Sequence, residues 1–342
     1  VEGYRNFATK LWTACRFAEM NVCTPLPDFD PTKTEQTLNR WIAHETSRAT
    51  REVTEAIEAY RFNDAAGAIY RFVWNVYCDW YLELAKPVLT GEEGAAKAET
   101  RATVAWARDE ILKLLHPFMP FITEELWAVT AKRDSLLALA PWPRKAGLSP
   151  EQVAMMALAV SPVEQLPTLA LPVIDTAEFV DPAAEAEIGW VVDLVTAIRS
   201  VRAEMNIPPA RLTALVLSGA SAETRDRAPR WSDVIKRMAR LSEISFAEKA
   251  PEGSVQLLVR GEVASLPLKG VVDLSAENIR LEKELARADA DIKRVDAKLA
   301  NEKFVANAPE EVVDEEKEKR EAAVARKAKI LEALERLKSA SS

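Results

Sequence analysis

Much of what chemistry would need is missing from this chain of 342 residues. Two histidines, and three cysteines (Cys15, Cys23 and Cys78) that form no C-x-x-C pair, cannot build a structural zinc site, so no metal is expected. The odd cysteines read instead as buried thiols in a reducing compartment, which points to the cytoplasm. Ten glycines are few for this length and argue for a helix-rich chain. No G-x-x-x-x-G-K-[ST] loop, G-x-G-x-x-G turn or G-x-S-x-G elbow occurs, so the usual phosphate cradles and the hydrolase nucleophile turn are excluded. The longest apolar stretches, Val153–Val163 and Leu166–Ile174, are too short and too proline-broken to span a bilayer, and no signal peptide opens the chain. Val1 in place of methionine is expected to mean a piece of something longer.

Catalysis also lacks its raw material. His44 lies in a polar helical stretch and reads as solvated surface, while His116, just before Pro117, reads as a helix C-cap. The adjacent carboxylates Glu92-Glu93, Glu124-Glu125 and Glu310-Glu311 point to different helix faces and read as solubility and first-turn residues. No catalytic residue is expected.

What is present is an ordinary globular composition, 48% apolar and 29% charged, long enough for two or three units. The net charge of −8 excludes a simple basic nucleic-acid coat but leaves room for local patches. Helical periodicity predicts a mainly α fold. Residues 1–143 read as a bundle, with helices over Glu2–Asn21, Thr34–Tyr60, from Asn63 and Asp64 to Lys86 (halted by Pro87), over Ala95–Leu115, and from Pro120. On the third helix Tyr70, Trp74, Tyr77 and Tyr81 read as a core stripe. Residues 144–181 are rich in proline and read as a linker or excursion. Residues 182–274 read as a small α+β connecting domain, with helix Glu185–Met205, strand Thr213–Leu217, a basic helix Ser232–Leu241, and strands Val255–Arg260 and Val263–Leu268. Over 275–342, Leu281, Leu285, Ala288, Ile292, Val295 and Leu299 form a heptad seam. A break at Asn301–Ala308 and a second helix carrying Val324, Ile330, Leu331, Leu334 and Leu337 complete an antiparallel coiled-coil hairpin, expected to protrude.

Several segments together are specific. They are Arg5-Asn6-Phe7, Lys10-Leu11-Trp12, Arg16-Phe17, Asn39-Arg40-Trp41-Ile42, Phe72 with Trp74, Cys78-Asp79-Trp80-Tyr81-Leu82-Glu83, the run from Leu115 to Trp127, Pro141-Trp142-Pro143, Asn301-Glu302-Lys303-Phe304-Val305 and Ala308-Pro309-Glu310-Glu311-Val312-Val313. In order and spacing they resemble the C-terminal half of valyl-tRNA synthetases, class I aminoacyl-tRNA synthetases. The resemblance implies an anticodon-binding bundle, a connecting domain and a tRNA-binding coiled-coil arm. The implied function is recognition of the anticodon and outer corner of the tRNA for valine, by an expected monomer without membrane association. It also implies an enzyme by parentage, an ATP-dependent valine–tRNA ligase using ATP and Mg. The family's H-I-G-H and K-M-S-K-S signatures are absent, so this fragment is expected to hold no catalytic or editing site and no cofactor. Thr13 stands where the family pattern has asparagine, and Cys15 where it has alanine.

The first helix supplies the candidate recognition face. At about 100° per residue, Asn6, Lys10, Thr13 and Phe17 share one stripe, and Tyr4, Phe7, Leu11, Ala14 and Ala18 form a separate apolar stripe. Phe17 beside Lys10 and Arg16 reads as a stacking platform for an unpaired base, with the cations on phosphates; the alternative is a ring folded into the bundle edge. In the family resembled, the matching lysine and phenylalanine face the anticodon. Candidates for RNA backbone are Arg48 and Arg51 on the second helix. Lys236, Arg237 and Arg240 lie in a segment, 225–240, holding six basic and two acidic residues. On the arm the candidates are Lys293, Arg294, Lys298, Lys303, Arg326, Lys327 and Lys329. The competing reading is a coiled-coil scaffold that binds protein and no RNA. It accounts for the acidity and the heptads but not for the tryptophan-rich bundle.

Overall fold

The computed structural model describes residues 2–143, 179–268, 274–301 and 310–341. These fall into two compact units, 1–188 and 189–342. Most of the linker reading at 144–181, the break at 301–308 and Lys303 lie outside the described residues, as do the side chains of Tyr4, Glu310 and Glu311.

The first unit is helical. Helices α1 (Glu2–Met20), α2 (Thr37–Glu58) and α3 (Phe62–Arg71) lead into a π-helical segment, Phe72–Tyr81, followed by α4 (Leu82–Thr90), α5 (Ala95–Leu115) and α6 (Pro120–Thr130). The core helix is α5, which packs against α1, α2, α3, α4 and α6 and buries Val104, Ala105, Ile111, Leu112 and Leu114 completely. Phe7, Leu11, Ala14 and Ala18 of α1 are buried against it, leaving the other stripe of that helix outward. Asn39, fully buried, joins three elements: its amide donates to Glu99 and Thr100, and its carbonyl accepts from the Tyr81 hydroxyl at 3.0 Å. Glu99 also takes the N–H groups of Glu35 and Gln36, satisfying the free donors ahead of α2. The motifs around Asn39 and Tyr81 are therefore framework. His116 is the C-cap residue of α5 and its Nδ1 meets the Thr123 hydroxyl at 2.9 Å.

Five expectations fail in this unit. Pro87 lies inside α4 rather than ending a helix; the turn beyond it holds because Thr90 Oγ1 and the Gly91 N–H take the carbonyls of Lys86 and Val88. The third helix starts at Phe62, so Asn63 and Asp64 stand in its first turn, not at its cap. The aromatic stripe is not wholly core: Tyr77 and Tyr81 are buried, whereas Tyr70 is exposed and Trp74 half-exposed. His44 is buried, not solvated, because the backbone of Asp181 covers it. Glu124 is more than a solubility residue, since it accepts from the N–H groups of Leu137 and Ala138.

Helix α7 (Pro182–Glu204) crosses the division between units, which falls between Ile188 and Gly189. The second unit then continues with β1 (Thr213–Ser218), α8 (Ala222–Arg230), α9 (Ser232–Ala239), β2 (Leu241–Ala247), β3 (Ser254–Val259) and β4 (Glu262–Pro267). The sheet order is β2-β1-β4-β3, with β1–β2 parallel and the other two pairings antiparallel. Arg202 fastens α7 to the start of β1, donating to Thr213 Oγ1 and to the carbonyls of Pro208, Arg211 and Arg240. The expected basic helix stops at Ala239, and Leu241 opens a strand instead. The polar helix α8, capped by Ser221, was not expected at all.

Helices α10 (Leu274–Leu299) and α11 (Glu310–Ser341) pack along each other. Their ion pairs, Lys298–Glu316, Asp296–Arg320, Asp291–Arg326 and Asp289–Lys327, descend one helix while climbing the other, so the pair is antiparallel. Leu281, Ala288 and Val295 are buried in the seam. The returning face differs from the expected one. Ile330, Leu334 and Leu337 are buried as expected, but Val324 and Leu331 are each 43% exposed, and Val313, Glu316, Ala323 and Ala333 take the remaining buried places. Spacings of three and four pass through Arg320 and Lys327, so the true heptad hides under polar residues. Glu204 at the end of α7 holds the base of the pair through Arg280 and Arg336, and α11 packs on β3.

Candidate nucleic-acid interface

Helix α1 lies alongside the π-helical segment and α4, and contacts step forward together along both. Phe7 stacks on Tyr70 at 4.9 Å between centroids, Lys10 Nζ sits 4.1 Å above the Trp74 ring and is ion-paired to Asp79, and Phe17 lies under Lys86 Nζ at 5.7 Å. The π-helical winding is what makes this possible. In an α-helix Trp74 and Asp79 would point about 140° apart. Closure by i→i+5 bonds widens the turn to about 4.4 residues, which brings the two within roughly 50° and aims both at Lys10. The described result is a row of half-exposed groups, Trp74, Lys10, Asp79, Phe17 and Lys86, with ring faces and charges of both signs alternating.

The other sequence candidates on this helix are placed as follows. Asn6 and Thr13 are exposed on the same stripe, with Thr13 Oγ1 donating to its own helix at Thr9 O. Arg16 is exposed and pairs with Glu19 at 2.6 Å. Lys10 is not a free cation awaiting phosphate: with Asp79 it forms a neutral donor–acceptor couple over an indole. Lys86 likewise pairs with Glu83. Trp74, Asp79 and Lys86 were missed because the aromatic period suggested a core face. The one sequence signal for them was the Cys78–Glu83 motif.

Arg48 is drawn into a corner where α2 meets the start of α7. It pairs with Glu45 and Glu185, while Arg40 pairs with Asp181 and the Asp181 N–H donates to His44 Nδ1 at 3.2 Å. His44, Glu45 and Glu185 approach each other closely. A neutral imidazole accepting at Nδ1 carries its proton on Nε2, which faces Glu185 at 3.8 Å, so that nitrogen has no lone pair to offer a cation. Burial pushes the Glu45 carboxyl up to about 7, against the lowering effect of Arg48. The thiols of Cys15 and Cys78 are pushed up to about 12, and that of Cys23 to about 11, by the same desolvation.

In the second unit Lys236 pairs with Asp233 at 3.1 Å. Arg240 is not on the short helix with it: it follows the end of α9 in the left-handed region at φ 56°, exposed. Arg51 and Arg237 are exposed and already engaged by neighbours. On the arm Lys298, Arg326 and Lys327 bridge the helices, and Arg294 pairs with Asp291. Lys293 and Lys329 stay exposed with no ion partner among the described residues, as do Lys283 and Arg287, which the sequence reading passed over. Lys283, Arg287 and Arg294 share one stripe opposite the seam. No described helix is long and apolar enough to cross a membrane.

Residues 39–217 match the family model described as the anticodon-binding domain of tRNA ligase, and residues 273–338 match the valyl tRNA synthetase tRNA binding arm. The chain is 76% identical over its whole length to the valine–tRNA ligase of Bradyrhizobium diazoefficiens, of which it spans 36%. It is equally similar, over the same share, to the valine–tRNA ligase of Rhodopseudomonas palustris. To that of Caulobacter vibrioides it is 48% identical, over 99% of this chain and 34% of the relative.

Proposed function

The chain belongs to the family of tRNA-ligase anticodon-binding domains, with a valyl-tRNA synthetase arm at its end, and from that membership we propose that it recognises the tRNA for valine on behalf of a valine–tRNA ligase. The observation that carries the reading is the half-exposed row along α1, where Lys10 lies over the Trp74 ring and Lys86, at 5.7 Å, more loosely over that of Phe17. Stacking on such a ring is worth about 1–3 kcal/mol per unpaired base. The coiled-coil pair, with outward cations opposite its seam, suits contact with RNA backbone by shape rather than sequence.

Within this proposal residues 1–143 form the anticodon-binding bundle, 182–274 the connecting domain and 275–342 the arm. Valine activation with ATP and Mg belongs to the remaining length of the ligase, and this piece works as a monomer in the cytoplasm. A scaffold without RNA binding would have no use for half-exposed rings paired with cations along α1. Gel-shift titration of the chain with tRNAs of several anticodons tests the proposal. The valine tRNA should bind more tightly than the others, and removal of residues 276–342 should weaken all of them alike while keeping that order. Equal affinity for every tRNA and for heparin would refute it.

A further inference from the structure

We propose that the apolar face at the turn from α2 to α3, around Phe62, Phe118, Phe121 and Trp142, is a docking surface for the remaining length of the ligase. The segment it takes is apolar and carries one basic side chain. The inference rests on the proposed function above and goes beyond it by naming a surface and its occupant.

Three large rings stand in water here: Phe121 is 91% exposed, Tyr60 82% and Phe62 54%. Phe62 helps to line an open cavity of about 540 Å³, together with Ile57, Glu58, Pro117, Phe118 and Trp142. Tyr60 meets Phe62 edge-on at 6.4 Å between centroids, and Phe121 stands on the first turn of α6, just beyond Phe118. The indole N–H of Trp142 is bonded to Thr54 Oγ1 at 2.9 Å, so its ring adds only apolar surface. Tyr60 follows the end of α2 at φ 58°, the left-handed position that glycine usually fills. Residues held under such strain cluster at functional sites, and grouped apolar side chains on a surface mark a place of interaction.

Charge and connectivity name the occupant. The charged group on the cavity wall is Glu58, exposed and without an ion partner among the described residues, and nearby Arg61 is taken by Asp64. A polyanion such as RNA is repelled there, whereas a basic side chain on an apolar segment is complementary. Helix α1 runs antiparallel to α5, since Asn21 O accepts from Arg101 while Cys15 feels the charge of Arg108. The start of α1 therefore stands at the end of the bundle where α5 closes and Pro117 and Phe118 follow. The end of α2 lies there too, because the N–H groups ahead of α2 meet Glu99 near the start of α5. This chain spans 36% of such a ligase and resembles its C-terminal half, so the remaining length joins at α1, beside this face.

Hydroxyl-radical footprinting read by mass spectrometry compares this chain with the intact ligase, both wild type. Oxidation of Phe121 and Tyr60 should be at least about fivefold slower in the intact ligase, because the centre of an interface excludes water. Met20, 78% exposed at the far end of α1, should react alike in both. Glu58→Lys should restore at least about half of the lost oxidation by repelling the basic side chain, and should leave the melting of the chain alone unchanged. Equal oxidation of Phe121 and Tyr60 in the two proteins, or a slowing that Met20 shares, would overturn the proposal. So would protection that appears only with added tRNA, which gives the face to RNA, or protection of the isolated chain that grows with its concentration, which gives it to a second copy. Full protection in Glu58→Lys would overturn the basic side chain. Valine-dependent pyrophosphate exchange by the intact protein is measured alongside; its absence would sink the ligase reading, while the footprint still decides the surface.

Discussion

Glu45 is a sensitive probe of the corner where α2 meets the start of α7. Its carboxyl is 5% exposed and faces Arg48, Glu185 and Glu52, with His44 beside it. Burial outweighs the Arg48 charge, so the carboxyl titrates at about 7 in the fold, against 4.5 for an ordinary glutamate. Between those two values the folded chain holds a proton that the unfolded chain releases. Stability therefore falls as pH rises through this window and levels off above it. At 1.36 kcal/mol per unit the full effect is roughly 3 kcal/mol. Asp181, whose carboxyl is lowered by the Ala184 N–H and by Arg40, gives the opposite slope, but only at lower pH. Glu45→Gln removes the charge at constant shape and gives up a half-exposed pair with Arg48 worth about 1 kcal/mol or less. It should equal wild type at pH 5 and exceed it by about 1–2 kcal/mol at pH 8. Urea denaturation followed by tryptophan fluorescence measures this, because only Trp190 and Trp231 lie beyond the first unit. A variant with the same pH slope as wild type, or one weaker at pH 8 than at pH 5, would refute the desolvation argument.

Two further outcomes are expected. Asp109 receives both Arg108, whose side chain is 1% exposed, and the two Nη groups of Arg133 at 2.7 and 2.8 Å. Asp109→Ala strands a buried guanidinium and should cost about 3–5 kcal/mol in urea denaturation, whereas a cost under about 1 kcal/mol would mean the network is not holding α5 to the segment after α6. Phe17→Ala should lower tRNA affinity by about 1–3 kcal/mol with the melting temperature nearly unchanged; the reverse pattern, a lower melt with affinity intact, would make Phe17 a core residue.

The helices of the first unit were legible because each carries a full apolar stripe and a local stop or start signal, as at Leu115-His116-Pro117 and Pro120. What escaped was set by partners far along the chain or by the winding of the backbone. Nothing local marks Phe72–Tyr81 as π-helical, yet that winding turns Trp74 and Asp79 outward and leaves Tyr77 and Tyr81 inside. His44 is buried by the backbone of a residue 137 positions away. Strand β2 pairs only at the sheet edge and is largely exposed, so its weak alternation gives little signal, and its first residue, Leu241, reads as the end of the preceding helix. On α11 apolar residues off the seam, Val324 and Leu331, outshone seam positions filled by Glu316, Arg320 and Lys327, whose fit depends on opposite charges of α10, Lys298, Asp296 and Asp289. The candidate face was half legible: the stripe of α1 follows from its period alone, but what stands opposite does not.

That opposite partner changes the expected salt dependence. Each cation that leaves water for a phosphate releases counterions, and affinity then falls with a slope of about −0.9 in log–log form per contact. If every sequence candidate for RNA backbone were independent, the slope would approach about −10. Most are not independent. Arg48, Lys236, Arg294, Lys298, Arg326 and Lys327 already pair with carboxylates. When such a cation turns to a phosphate, the acid it leaves gathers counterions of its own, and little net release remains. Lys10 at Asp79 behaves alike, so Lys10→Ala should weaken binding without flattening the slope. Of the arm and connecting-domain cations named above, those that can contribute fully are the ones without an ion partner, Lys283, Arg287, Lys293 and Lys329, together with Arg240. Titration of the chain with valine tRNA between low and physiological salt should therefore give a slope of about −4 to −5. A slope steeper than about −7 would mean that the ion pairs open freely on binding, and that charge rather than stacking and shape holds the RNA.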